Sequence, residues 1–198
     1  MPKVKIPRKS TSVDMTAMTD VAFLLLTFFM LATKFKPDEP VTVDTPSSIS
    51  EIKLPESNVI LLTIDKDGRV FFGVDGQQTK EELIKRMSAN YKVNFTPQQI
   101  KEFSLMSTFG TPIAQLPALL DMKSEDRLRA TQAGVPCDSL NNELADWVWQ
   151  TRLINNNVRV AVKGDRETNY PVIKRVIATL QEKKVNRFNF ITSMEKPE

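Results

Sequence analysis

One apolar stretch near the N-terminus, residues 15–33, constrains this chain more than any other feature. Its 19 residues read MTAMTDVAFLLLTFFMLAT and contain a single ionisable side chain, Asp20. A helix rises about 1.5 Å per residue, so the stretch can span the roughly 30 Å hydrocarbon core of a membrane. A carboxylate near the centre of such a helix costs about 2.5 to 3.5 kcal/mol and usually marks an ion or proton pathway. We therefore predict a transmembrane helix over residues 14–33 with Asp20 as its proton relay.

The predicted helix has one narrow polar face. At about 100° per residue, Thr16, Asp20 and Thr27 fall in one sector of the helix. The opposite face carries only apolar side chains: Met18, Ala22, Leu25 and Phe29. Hydroxyl groups beside a carboxyl group suit a cavity between several transmembrane helices, and one helix cannot enclose a cavity. We expect Thr16 and Thr27 to support the relay, and we expect partner helices from other chains.

The residues before this stretch predict its orientation. The tail 1–13 has four basic residues and no acidic one: Lys3, Lys5, Arg8 and Lys9. Such an excess beside a membrane span predicts a cytoplasmic N-terminus, with the rest of the chain on the outer side. The whole chain has 27 basic and 24 acidic residues, so the tail accounts for its net charge of +3. The positive charge therefore indicates membrane topology and not nucleic-acid binding.

Two other interpretations of the apolar stretch are open to the sequence. A cleaved signal peptide also has a basic start and an apolar centre, but Asp20 would interrupt that centre, and residues 30–33 make a poor cleavage site. A buried helix of a soluble domain would start at Asp20 and run over residues 21–33. The basic tail and the proline-rich segment that follows favour the transmembrane interpretation.

Residues 34–57 predict an extended periplasmic tether, because prolines are spaced through polar residues. Within it, residues 41–43 alternate like a strand, and either pairing with a sheet edge or a solvated linker fits them.

Residues 58–198 are enough for one outer domain. The chain has one cysteine, Cys137, and no histidine. This composition excludes an intrachain disulfide, histidine-based catalytic triads and most imidazole metal sites.

The pattern of the outer domain predicts an α+β fold. Hydrophobic periodicity and turn residues predict these elements in order: a β-hairpin of strands 58–64 and 69–74, a helix capped by Thr79, a strand over 158–162, a helix over 171–183 and a strand over 187–192. The two helices would back a single sheet. A strand, helix and strand on one sheet are expected to cross over right-handed.

Between these parts, residues 94–157 read as a helical insertion. Residues 96–99 (TPQQ) have the spacing of a capping box with proline at the first helical position. A last helix is expected to start at residue 138 or 139 and to carry Trp147 and Trp149. These two side chains fit either an exposed binding surface or packing against the sheet, and the general burial of tryptophan favours packing.

Several of these features occur together in the ExbD/TolR family of biopolymer transport proteins, which this chain resembles over most of its length. The family's span opens with a pattern close to N-x-T-P-x-x-D-V-x-x-x-L-L, and this chain has Asp14-Met15-Thr16-Ala17-Met18-Thr19-Asp20-Val21 followed by Leu24, Leu25 and Leu26. A Leu54-Pro55 turn follows the tether. The segment from Val160 to Val172 resembles the stretch before the family's last helix.

The resemblance implies roles for particular residues. Asp20 falls on the family's proton-carrying aspartate, and Thr16 falls on its usual threonine. Asp14 and Ala17 depart from the family's Asn and Pro, which leaves Asp14 as a second carboxylate near the membrane surface. Asp14 fits either a further relay or a helix cap, and the preference of Asp for helix starts favours the cap. The insertion 94–157 is the second departure, since the compact family domain lacks it.

The expected architecture is a single N-terminal transmembrane helix and a small α+β periplasmic domain. The resemblance implies an inner-membrane subunit that uses the proton motive force to power outer-membrane transport. It also implies a homodimer inside a ring of ExbB/TolQ-type subunits that acts on a TonB- or TolA-like partner. Within the family, a TolR-like role in envelope integrity is the alternative.

A membrane-anchored periplasmic binding module without ion transport is the alternative from another class. The relay carboxylate, Asp20, argues against it, because a simple anchor has no use for a charge inside the membrane. An enzyme is not expected, since no nucleophile with a base, metal cluster or phosphate loop can be assembled from the residues. For the same reason we expect no cofactor and no metal.

Overall fold

The computed structural model describes residues 15–32, 39–48, 57–138, 141–185, 187–191 and 193–194. The chain divides into two compact units, Met1–Pro37 and Asp38–Glu198. In chain order the helices are α1 (Met15–Ala32), α2 (Gln77–Tyr91), α3 (Pro97–Leu105), α4 (Leu116–Leu120), α5 (Ser124–Arg129), α6 (Glu143–Ile154) and α7 (Tyr170–Glu182). The strands are β1 (Ser47–Ser48), β2 (Val59–Ile64), β3 (Val70–Val74), β4 (Thr108–Phe109), β5 (Arg159–Gly164), β6 (Phe188–Ile191) and β7 (Ser193–Met194).

Helix α1 forms the described part of the first unit. Its 18 residues contain neither proline nor glycine, and none of them is buried within the chain. Among the described residues it is the one helix long and apolar enough to cross a membrane, judged by length and composition. Exposing so many apolar side chains to water is unfavourable, at about 25 cal/mol per Å². Helix α1 therefore needs lipid or other protein around it.

A five-stranded mixed sheet, in the order β4-β3-β2-β5-β6, forms the centre of the second unit. Strands β2 and β3 are antiparallel, and β5 runs parallel to both β2 and β6. Parallel neighbours need a crossover connection, which α7 supplies between β5 and β6. The predicted hairpin, helix, strand, helix and strand are present in that order.

The hydrophobic core lies on one face of this sheet. Ile60, Leu62 and Ile64 of β2 have no exposed surface, and because side chains alternate along a strand they share one face. Val160 and Val162 of β5 lie beside Ile60 and Leu62 in register. The helices contribute these buried side chains to the same cluster: Leu83, Ile84, Met87, Leu144, Trp147, Val148, Val176 and Leu180.

The insertion segment is part of this core. Trp147 of α6 is fully buried, and its ring centroid lies 4.9 Å from Phe109, 5.8 Å from Phe72 and 5.9 Å from Phe103. These rings come from α3, α6, β3 and β4. The packing predicted for Trp147 is therefore confirmed, whereas Trp149 remains 41% exposed.

The insertion is not wholly helical. Within its described part, residues 94–157 form four helices, α3 to α6, and also strand β4. Strand β4 pairs antiparallel with β3 through Phe72–Phe109 and Gly73–Thr108. The capping box before α3 is confirmed, since Gln99 N donates to Thr96 Oγ1 at 3.3 Å and Thr96 N donates to Gln99 Oε1 at 2.9 Å.

Two predicted helix starts are wrong. Helix α2 begins two residues before Thr79, directly after Gly76, whose φ of 90° is a conformation that glycine adopts without strain. Helix α6 begins after Asn142, whose side chain accepts from a backbone N–H in the first turn, and not at residue 138 or 139. In both regions several residues could cap a helix, and the tertiary packing decides between them.

Candidate functional site

The candidate site on α1 is the polar face that carries Thr16, Asp20 and Thr27. The helix is continuous from Met15 to Ala32, so the angular spacing of these three residues is that of a regular helix. Asp20 is exposed and Thr27 is half-buried by its own helix. The structure thus places all three predicted residues on one side of one element. Asp14 lies outside the described residues, and its role stays a prediction.

The hydroxyl groups of α1 are oriented by the helix backbone. Thr27 Oγ1 donates to the carbonyl oxygens of Phe23 at 3.0 Å and Leu24 at 2.9 Å. Thr19, which the sequence interpretation did not single out, donates to the carbonyl oxygen of Met15 at 2.8 Å. A hydroxyl that gives its only hydrogen to the backbone can still accept hydrogen bonds. Thr27 can therefore accept a bond from water or from a protonated carboxyl group.

The chemistry available to this face is proton binding. A carboxyl group can bind and release a proton, and an apolar environment disfavours a charged side chain more than a neutral one. Asp20 has no described acidic or basic neighbour on α1, because the remaining residues of the helix are uncharged. Within α1, Asp20 therefore has no charged partner.

In the second unit, part of the predicted tether is held against the domain. Lys163 Nζ and Glu39 Oε2 form a salt bridge of 2.9 Å. The Asp44 backbone N–H donates to Asp165 Oδ2 at 3.1 Å, and the Arg166 N–H donates to the Asp44 carbonyl oxygen at 2.8 Å. Strand β1 pairs parallel with β7. We call residues 39–48 the docked segment.

Strand pairing in the docked segment differs from the predicted position. The alternating residues 41–43 are not in a strand, and the pairing falls on β1, four residues further on. A cavity of about 560 Å³ lies between residues 41–45, the β2–β3 turn and the loop after β5. Its charged side chains have both signs, and Arg69 is already bound to Asp65 at 2.6 Å. The lining of the cavity is therefore of mixed charge, with acidic and basic side chains side by side.

Three groups in the second unit have shifted pKa values with structural causes. Burial lowers the pKa of Lys80, whose Nζ donates to the carbonyl oxygens of Ser104 and Met106 at the end of α3. Burial and a hydrogen bond to Asp146 raise the pKa of Tyr91. Burial also raises the pKa of the Cys137 thiol, which makes it a poor nucleophile. No cluster of potential metal ligands occurs among the described residues.

Comparison with known proteins points to one family. A family model described as biopolymer transport protein ExbD/TolR matches residues 7–195. Comparisons with curated proteins and with solved structures give no significant match. The family match includes α1 with its polar face and nearly the whole second unit.

Proposed function

The chain belongs to the ExbD/TolR family of biopolymer transport proteins, and from this premise we propose that it is an energy-transducing subunit of an inner-membrane proton channel. The observation that supports the proposal is Asp20, the single ionisable residue of the 18-residue helix α1. In this proposal the complex uses the proton motive force to power transport across the outer membrane, as an ExbB-ExbD-TonB system does. The family suggests a transport role in general, and the proton and the outer membrane are part of our proposal.

Asp20 carries the proton in the proposed mechanism. Its carboxylate accepts a proton from the outer side, turns within the complex while it is neutral, and releases the proton to the inner side. Each proton that crosses a potential of about 100 mV yields about 2.3 kcal/mol. Thr16 and Thr27 supply hydrogen-bonding groups on the same face. The motion of α1 relative to its partners would be passed to the second unit.

The proposed topology is a single membrane pass in the inner membrane of a Gram-negative bacterium. Helix α1 and the family membership fit a single-pass inner-membrane protein. The basic tail 1–13 supports a cytoplasmic N-terminus, which would put residues 34–57 and the domain 58–198 in the periplasm. A protease-protection assay on right-side-out and inverted vesicles tests this arrangement.

The proposed assembly is built around α1. Family membership implies a membrane complex with ExbB/TolQ-type partners. We propose that two copies of this chain lie inside the ring of those partners, because the apolar α1 surface and its single carboxylate both need surrounding helices. A TonB- or TolA-like protein would be moved by this complex and would transmit the energy to the outer membrane. The protein has no enzymatic activity in this proposal, and the family is not known to include enzymes.

The variant Asp20→Asn tests the function. We expect it to assemble with its ring partner at normal levels and to lose both proton flux and energised uptake, because an amide cannot carry the proton. Asp67→Asn is the matched control, since its side chain is 59% exposed in the hairpin turn and it should leave both activities unchanged. If Asp20→Asn keeps both flux and uptake, the helix is only an anchor and the proposal is wrong. Loss of envelope integrity without loss of uptake would favour the TolR-like role.

A further inference from the structure

Two large apolar side chains, Phe23 and Leu24, lie between Asp20 and Thr27 along α1, and Phe23 is the larger of the two. At about 100° per residue, Phe23 is about 60° from Asp20 and about 40° from Thr27 around the helix axis. Along the axis it is about 4.5 Å beyond Asp20 and about 6 Å before Thr27. The direct line along this face from Thr27 to the carboxylate therefore runs between the ring of Phe23 on one side and Leu24 on the other.

The contacts of α1 fix the Thr27 hydroxyl group and leave the ring of Phe23 without a ring partner among the described residues. Thr27 Oγ1 donates to the carbonyl oxygen of Phe23 at 3.0 Å, so the hydroxyl group sits over the same turn that carries the ring. Phe28 and Phe29 contact each other edge to face, with ring centroids 6.0 Å apart. Phe23 has no such ring partner within the described chain, and 62% of its surface is exposed. Its ring is free to pack against helices of other chains.

We infer that Phe23 is a hydrophobic gate that controls access of protons to Asp20 from the C-terminal end of α1. A proton reaches a buried carboxylate along water or hydroxyl groups, and a hydrophobic constriction blocks this route by excluding water. Thr27, on the outer side of the ring, is an acceptor where an incoming water can be held. Movement of α1 against its partners would open the gate and couple proton entry to work. The inference rests on the proposed role of Asp20.

The gate would couple proton entry to movement of α1. Without the ring, only Leu24 would flank the face between Thr27 and Asp20, so water would enter more readily and more protons would cross without driving motion. With it, the same side chain that blocks water has to move before Asp20 can be loaded. Phe23 acts here as a gating residue and does not itself carry the proton.

The test uses the full-length protein with its ring partner in proteoliposomes that enclose a pH-sensitive dye. A potassium diffusion potential drives protons, and the passive rate of acidification is measured at equal amounts of assembled complex. We expect Phe23→Ala to raise this leak several-fold and to lower energised uptake in cells. Phe23→Trp should lower the leak, because the larger ring seals the route. Phe29→Ala is the matched control, since it removes the same ring from the opposite face of α1.

The double variant Asp20→Asn/Phe23→Ala shows whether the leak passes through the relay. We expect it to lose the extra flux. A leak that persists in the double variant, or a Phe23→Ala leak equal to that of the wild type or of Phe29→Ala, overturns the gate. If Phe23 has a purely structural role, Phe23→Ala should lower both proton flux and assembly. The gate predicts the opposite change, a rise in flux. If Asp20→Asn alone leaves driven flux intact, the proposed function is wrong. This outcome is distinguishable from failure of the gate, which is read from Phe23→Ala and the double variant.

Discussion

Trp147 and Trp149 lie two positions apart on α6 and meet opposite environments. Trp147 has no exposed surface, and its neighbours are the rings of Phe72, Phe103 and Phe109. Trp149 is 41% exposed.

We predict that Trp147→Ala lowers the free energy of unfolding by about 3 to 5 kcal/mol, because it leaves a cavity between four elements. Trp149→Ala should change it by about 0.5 kcal/mol or less. Chemical denaturation of the full-length protein in detergent measures both, and equal losses would contradict the burial of Trp147.

Tyr91 gives the protein a specific response to alkaline pH. Its hydroxyl donates to Asp146 Oδ2 at 2.7 Å, and burial together with this bond raises its pKa above the ordinary value of 10.0. Above pH 10 the unfolded chain releases this proton and the folded chain keeps it, so the folded state loses stability as pH rises. We predict that the stability advantage of wild type over Tyr91→Phe is constant below pH 9 and shrinks above pH 10.

The measurement is denaturant unfolding of both proteins from pH 8 to pH 11. Lys80 has a lowered pKa, so its contribution to stability rises with pH, but it is present in both proteins and cancels in the difference. A difference that stays constant through pH 11 would show that Tyr91 titrates alike in the folded and unfolded states.

For single residues, the sequence predicts a functional role well only when the residue differs from those next to it in the chain. Asp20 is recognisable because the apolar residues around it are local. The bond of Tyr91 to Asp146 joins residues 55 positions apart, and the salt bridge of Glu39 to Lys163 joins residues 124 apart. No local pattern identifies such partners, since the fold brings them together.

Strand β4 is added to the sheet at a glycine. A Cβ atom placed on Gly73 would lie 2.7 Å from the Ser107 carbonyl oxygen and 2.5 Å from Thr108 Cγ2. We predict that Gly73→Ala lowers the free energy of unfolding by about 1 to 3 kcal/mol, because β4 must move away from β3. Gly164→Ala is the control in β5, on the other side of β2 in the same sheet, since its Cβ would meet only Ile173 Cδ1 at 4.0 Å.

Thermal or denaturant unfolding of the two glycine variants checks this prediction. Hydrogen exchange of the amides around β4 locates the change. If Gly73→Ala is as stable as Gly164→Ala, then β4 does not approach β3 as closely as described, and the insertion is attached to the sheet in another way.

The same elements show which part of the fold the sequence predicts. The hairpin and α7 follow from alternation, turn residues and helical spacing, all within a short window. Strand β4 has two residues, which is too short for any periodicity. Its place depends on Gly73, on the rings of Phe72 and Phe109, and on α3 beneath them. The start of α6 likewise depends on packing, which sequence periodicity does not contain.

At the scale of the whole molecule, the docked segment 39–48 sets how much chain joins α1 to the second unit. While it is held, residues 33–38 lie between α1 and the first docked residue. Its contacts include one salt bridge, the two hydrogen bonds made by the Asp44 and Arg166 backbone N–H groups, and the pairing of β1 with β7. Each such contact is worth only about 1 kcal/mol, so single substitutions should shift the segment measurably without unfolding the domain.

Charge reversal at the salt bridge tests this attachment. We predict that Glu39→Lys increases hydrogen exchange about fivefold at the amides of Asp44 and Arg166, the change expected for about 1 kcal/mol. Lys163→Glu should act in the same way, and the double swap Glu39→Lys/Lys163→Glu should restore slow exchange, because the pair is rebuilt with opposite signs. Amides of β2 should not change, since the core does not depend on the segment.

Glu82→Lys is the matched control for this experiment. It reverses a charge that pairs with Arg86 on the exposed side of α2 at 2.6 Å, and it should leave exchange at Asp44 and Arg166 unchanged. If both single reversals leave exchange at Asp44 unchanged, the backbone hydrogen bonds hold the segment without the salt bridge. If the double swap fails to restore slow exchange, Glu39 and Lys163 act separately, and the length of chain between α1 and the domain is not governed by their pairing.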